Sequence, residues 1–184
     1  PGMQAYSCAG SYTFNVPRGI TYLKYYATGS GANGGVNTGG AASTVTGNLS
    51  APPGTSFIVC VAAGPTAGQG GPGNPSCIHK GANIIAVSYG GCYCGTSADR
   101  QTGMGESASG LLGSEPENLN GVILPGGCGG VDTSGRASAP TGVEESEGAA
   151  SYWGSSPAPG AGSGAHKGHT QGSAGDGFVM FEWN

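Results

Sequence analysis

Charge is what this sequence has least of. Only 9% of its 184 residues are Asp, Glu, Lys or Arg, which excludes the charge-rich composition of a disordered tail. Acids are missing altogether from residues 1–98, where Arg18, Lys24 and Lys80 leave +3. Residues 99–184 hold all ten acids and three bases, −7, and the two parts sum to the net −4. With so few basic residues, no nucleic-acid partner is expected. Long uninterrupted stretches are missing too. The longest runs free of glycine and proline, Ile20–Thr28 and Thr55–Ala63, are nine residues each. A typical helix is about 11–12 residues long and loses close to 1 kcal/mol for each interior glycine. Regular helix is therefore nearly excluded, and no membrane span is expected. Catalytic signatures are absent as well, with neither a G-x-S-x-G elbow nor an H-E-x-x-H pair. No enzymatic activity and no cofactor are expected.

What is present in excess is glycine, 40 residues of the 184. It is gathered into tracts, each entered from a strand-like run. The first such run is the longest. SYTFNV turns at Pro17-Arg18-Gly19 and continues as Ile20–Ala27, then dissolves into the tract from Gly29. Alternation in this strand sets Tyr22, Lys24 and Tyr26 on one face and Thr21, Leu23, Tyr25 and Ala27 on the other. Further strands are expected over Met3–Ala9, Ala41–Leu49, Ser56–Ala63, Ala82–Tyr89, Ala149–Trp153 and Phe178–Trp183. The tracts at Gly64–Pro75 and Gly154–Gly177 lack the G-X-Y period of collagen. They are expected as polyproline-II-like threads packed backbone to backbone. Residues 96–148 read as a polar, loop-rich insertion with apolar islands at Leu111-Leu112 and Val122–Leu124. The whole chain is expected to be one all-β domain over residues 1–184, with Phe14, Leu23, Val59, Ile85, Val179 and Phe181 in a single core.

Six cysteines, Cys8, Cys60, Cys77, Cys92, Cys94 and Cys128, are an even number in a glycine-rich, strand-rich chain. They read as three disulfides of unassigned pairing, formed in an oxidising compartment. The only close pair, Cys92-Tyr93-Cys94, has no second cluster to complete a zinc site. His166 and His169 in AHKGHT have no neighbouring Cys or acid, so no metal is expected. The acids of Val143–Glu147 lack the ligand order of a calcium loop. Gly29–Gly34 matches G-x-G-x-x-G, but neither the helix nor the acid that dinucleotide binding requires follows it. Asn48-Leu49-Ser50 is a glycosylation sequon. The Pro-rich runs 51–53, 139–141 and 155–157 are candidate sites for sugars on Ser or Thr. The chain opens on Pro1-Gly2 with no visible signal peptide, which fits the mature form of a secreted protein.

The order of these motifs carries a resemblance. Phe14–Leu23 has the form F-x-V-P-x-G-I-x-x-L and leads into Gly29–Gly40. Thr44–Gly64 is a strand, a Pro-Gly turn and a hydrophobic strand ending in A-G. The last tract closes on Asp176-Gly177-Phe178-Val179-Met180-Phe181-Glu182-Trp183. This arrangement resembles the glycine-rich β-sandwich domains of phage tail-fibre tips and of secreted or surface proteins, and the glycine-rich ectodomain region of anaplastic lymphoma kinase. The resemblance spans nearly the whole chain. It implies a jelly-roll-like sandwich with polyglycine threads, and it supplies no catalytic residue.

Two functions fit these readings. The first is an extracellular structural protein, the self-assembling subunit of a secreted or cell-surface fibre with a glycosylated exterior. Threads of glycine stay ordered only where neighbours satisfy their backbone groups, and the next subunit could supply them. The second is an adhesin domain that binds glycans or a receptor, for which Tyr93, Tyr152 and Trp153 are the obvious loop aromatics.

Overall fold

The computed structural model describes residues 1–33, 39–65, 71–91, 110–114, 116–126, 130–131, 137–138, 150–154, 158–162, 164–166, 169–171 and 174–184. Among them there is no helix, and so none long and apolar enough to cross a membrane. The chain is all-β, with two five-stranded antiparallel sheets.

The first sheet is ordered β1-β14-β3-β4-β9: Gly2–Tyr6, Phe178–Trp183, Tyr22–Thr28, Thr44–Ser50 and Asn118–Leu124. The second is ordered β2-β5-β6-β7-β8: Gly10–Asn15, Ser56–Val61, Ser76–Lys80, Asn83–Ser88 and Gly110–Leu112. Two short hairpins complete the set, β10 (Gly130–Val131) with β11 (Ala137–Ser138), and β12 (Gly164–His166) with β13 (His169–Gln171).

Period-two alternation places one face of each sheet in a common core. Leu23, Tyr25, Val45, Leu49, Val179 and Phe181 come from the first sheet, and Phe14, Phe57, Val59, Ile78 and Ile85 from the second. The ring of Phe181 stacks on Phe14 with centroids 4.1 Å apart and planes 6° from parallel. All six expected core residues are in this cluster. A shift of register between Ile78 and His79 against β7 marks a bulge, and there Ile85 and Ala86 are both buried in succession.

Some elements differ from the sequence reading. Ser76–Lys80 is a strand although SCIHK has no apolar run; it is held by β5 on one side and β7 on the other. The islands at 111–112 and 122–124 are not loop but belong to the outermost strands β8 and β9. Instead of the strand expected over Ala149–Trp153, Ser151 and Gly154 close a tight turn by two reciprocal backbone hydrogen bonds.

At one end of the sheets, described segments of the glycine tracts that lie outside any strand are bonded to each other. Ser30 N–H donates to the Asn74 carbonyl, Gly31 to Gly175, Ala32 to Gly40 and Asn33 to Gly71. Ala42 donates to Gly160, Gly73 to Gly91, Gly91 to Ser30, and Gly175 to Ala161. Packing is close enough to demand glycine. A Cβ placed on Gly31 would lie 1.9 Å from the Ala161 carbonyl oxygen, and one on Gly162 1.9 Å from that of Gly39.

Buried polar side chains pin these segments to the sheets. Ser88 Oγ accepts from Gly29 N–H at 2.7 Å and donates to the Ser43 carbonyl at 2.6 Å. Asn33 Oδ1 accepts from Ala174 N–H at 2.9 Å. Most of the inter-segment backbone bonds join segments that are far apart in the sequence.

The acid-free first half and acidic second half do not form spatial halves either. Lys80 at the end of β6 pairs with Glu117 just before β9. Its hydrogen bond with Lys80 is the main cause holding the Glu117 carboxyl below its usual value. A lowered folded-state pKa gives stability that is complete above the unfolded value, about 4.3, and is lost as pH falls through the folded value. Lys80 is partly exposed, so Glu117→Gln should cost only about 1 kcal/mol at pH 7. That deficit should vanish towards pH 3, as read by urea denaturation across the pH range.

Candidate functional site

The outward face of the first sheet carries an assembly of aromatic and polar side chains outside the core. Because Leu23, Tyr25 and Ala27 face inward, Tyr22, Lys24 and Tyr26 must face out. Register then sets one residue from each strand in a row across all five strands: Met3, Glu182, Lys24, Asn48 and Leu119. Glu182 and Lys24 are opposite charges directly across β14 and β3, a favourable cross-strand pair. Next to this row lies a depression of about 630 Å³ lined by Met3, Tyr22, Lys24, Asn48, Glu182 and Trp183, among others.

Lys24 Nζ lies 5.1 Å from the centre of the Tyr26 ring, within cation–π range. Hydrogen bonding to Tyr26 holds the ammonium above its ordinary value, with a smaller contribution from Glu182. The Tyr26 hydroxyl donates to Glu182 Oε1 at 3.3 Å. Past Tyr26 the face rises into an aromatic ledge. Trp153 packs edge-on against Tyr26 and Phe178, with centroids 5.5 and 5.1 Å apart. Its indole N–H donates to Thr28 Oγ1 at 2.8 Å. Tyr152 stacks over Tyr26 at 6.1 Å and stays 54% exposed.

Of the three loop aromatics singled out in the sequence, Trp153 is half-buried and fixed and Tyr152 is free on one side. Tyr93 lies outside the described residues. The sequon residue Asn48 is half-buried in β4 and opens into the depression. The Pro-rich runs 139–141 and 155–157 and the acids of 143–147 also lie outside the described residues. His166 and His169 are register partners in the backbone of the β12–β13 hairpin. Among the described residues no group of three or more His, Cys, Asp or Glu comes together. The amides of Ser30, Gly31, Ala32 and Asn33 in the G-x-G-x-x-G stretch all donate to neighbouring threads, which leaves none of these four to cradle a phosphate.

Cys8, Cys60 and Cys77 are free thiols, and no disulfide is found among the described residues. Cys92, Cys94 and Cys128 lie outside them.

Sequence reasoning missed Tyr22, Lys24, Tyr26 and Glu182 as a site. Alternation did group the first three on one face, but β3 carries tyrosines on both faces. Tyr25 is the one that faces the core. Its hydroxyl bonds Asn118 Oδ1 at 2.8 Å, and burial pushes its pKa up to about 12. No protein-family model matches this chain, and no curated protein does.

Proposed function

We propose that this chain is an extracellular glycan-binding module, a jelly-roll-like sandwich of the glycine-rich type that presents one sheet face to carbohydrate. The observation that carries this reading is the placement of exposed Tyr22 and Tyr152 around Lys24, Glu182 and Asn48 beside the depression. Aromatic rings offer flat apolar faces to the C–H side of a sugar ring, and amide, carboxylate and ammonium groups can bond its hydroxyls. Anchors of this kind rest on a rigid base, since β3 lies inside the sheet and Trp153 is bonded to Thr28.

Titration with neutral and acidic oligosaccharides on an array, followed by calorimetry on the best ligand, tests this. Tyr22→Ala and Tyr152→Ala should each weaken binding at least tenfold, about 1.4 kcal/mol, with the circular dichroism of the fold unchanged. An array on which no oligosaccharide binds would sink the reading.

A second reading, the self-assembling fibre subunit, is favoured by one observation. Strand β1, GMQAY, bonds β14 on one side and no strand of the described residues on the other. It has no charge or proline to guard it, and Met3 is 63% exposed. The opposite outer strand, β9, is guarded by a register shift and by Asn120 at φ 51°. Concentration-dependent polymers in light scattering, abolished by Gln4→Pro, would favour the fibre over the glycan module.

A further inference from the structure

Cys60 and Cys77 are opposite each other in the second sheet. The register of β5 and β6 runs Ile58 to His79, Val59 to Ile78 and Cys60 to Cys77. Val59 and Ile78 are fully buried in the core, so alternation turns both cysteines to the outer face of that sheet. Each is partly exposed. Directly opposed residues of an antiparallel pair have Cα atoms about 4.5–5.5 Å apart. A disulfide spans Cα separations of about 4.4–6.8 Å.

We propose that Cys60 and Cys77 form a redox-active cross-strand pair, closing to a disulfide across β5 and β6 when the protein meets a small-molecule or protein disulfide oxidant. The strands are already in register, so closing the bond requires rotation of two side chains and no shift of the sheet.

The order of attack follows from their surroundings. Burial, with the Cys60 thiol beside it, pushes the Cys77 thiol up to about 12, and it holds its proton at neutral pH. With Cys77 holding its proton, Cys60 is the thiol left to attack first, and it gives up its proton to water as it does so. It displaces one thiolate from the oxidant and leaves a mixed disulfide on Cys60. Cys77 then loses its proton and attacks the Cys60 sulfur, expelling the second thiolate. In total two protein thiols lose two electrons and two protons, and the oxidant leaves as two thiols. The bond closes a loop over residues 61–76, most of the second glycine tract. Such a loop is expensive to fix from a free chain, so the bridge restricts the unfolded state.

The sequence makes the test direct. Cleavage after Lys24 and Lys80 releases residues 25–80 as one peptide in which Cys60 and Cys77 are the only cysteines. The folded full-length chain is treated with oxidised glutathione, its free thiols are blocked, and it is digested with trypsin after removal of any sugar on Asn48. Peptide 25–80 should then be lighter by two hydrogens and carry no blocking group. Oxidation should raise the melting temperature by about 5–10 °C, and Cys60→Ser or Cys77→Ser should abolish that rise. A peptide that takes up two blocking groups after oxidation would overturn the proposal. So would one joined to the peptide bearing Cys8, or to one bearing Cys92, Cys94 or Cys128.

Discussion

Gly31→Ala should unfold this protein or come close to it, while Gly71→Ala should leave it as stable as before. Both glycines lie in the thread bundle, and their amides make backbone hydrogen bonds to neighbouring threads. They differ in the space beside Cα. At Gly31 a Cβ would sit 1.9 Å from the Ala161 carbonyl oxygen and 2.4 Å from its carbon. These are backbone atoms with no rotamer to change, so the two threads would have to part.

Parting them breaks more than one contact. Gly31 N–H donates to Gly175, and Gly175 N–H donates in turn to Ala161. A displaced thread therefore exposes or orphans several buried amides, each worth about 1–3 kcal/mol when left unsatisfied. Added to the overpacking cost of about 1–3 kcal/mol, this approaches the entire stability of a typical domain. At Gly71 the nearest atom of the described residues to a Cβ is Pro65 Cβ at 3.9 Å. Alanine there removes freedom from the unfolded chain and should be neutral or stabilise by up to about 1 kcal/mol. Thermal melts of the two variants test the bundle. Equal melting temperatures would mean that thread contacts contribute nothing to folding.

The sequence disclosed those elements whose local pattern agrees with their final place. Strands β3, β5 and β14 alternate, β7 does so except at its bulge, and their inward residues belong to the core. Strands β6, β8 and β9 were hidden for physical reasons. β6 has only two apolar residues, Cys77 and Ile78, and becomes a strand because β5 and β7 both need its backbone. β9 contains Asn120 at φ 51° followed by Gly121, which breaks its pattern at the bulge opposite β4.

Thread packing could be anticipated from glycine content, but not the closure of the threads on one another, since the partners Ser30 and Asn74 or Gly31 and Gly175 are distant in sequence. The candidate site was obscure for a related reason. Its row of Met3, Glu182, Lys24, Asn48 and Leu119 draws on five strands, and only register brings them together.

Val179→Asp should cost several kcal/mol at pH 7 and much less in acid. Val179 is fully buried in β14, an inner strand between β1 and β3. It faces the same core as Phe181, which stacks on Phe14. Among the described residues no Lys, Arg or His is buried, so a carboxylate there would have no buried countercharge. Removing bulk alone, as in Val179→Ala, should cost about 2 kcal/mol, at the low end of large-to-small core changes. The charge adds to that. Desolvation raises the folded-state pKa of the new carboxyl above its unfolded value of about 3.9. Below that value both states are protonated, and only the burial of a neutral polar group remains. As pH rises the unfolded state ionises first, and the deficit grows by about 1.4 kcal/mol per pH unit until the folded pKa is reached. Both deficits shrink in acid, but for opposite reasons: the ionised Glu117 carboxylate stabilises the wild type, whereas the ionised new carboxylate destabilises the variant. Urea midpoints for Val179→Asp, Val179→Ala and wild type at pH 4, 5.5 and 7 should separate the two effects. A deficit for the Asp variant that matches that of the Ala variant at every pH would place residue 179 in contact with water and outside the core.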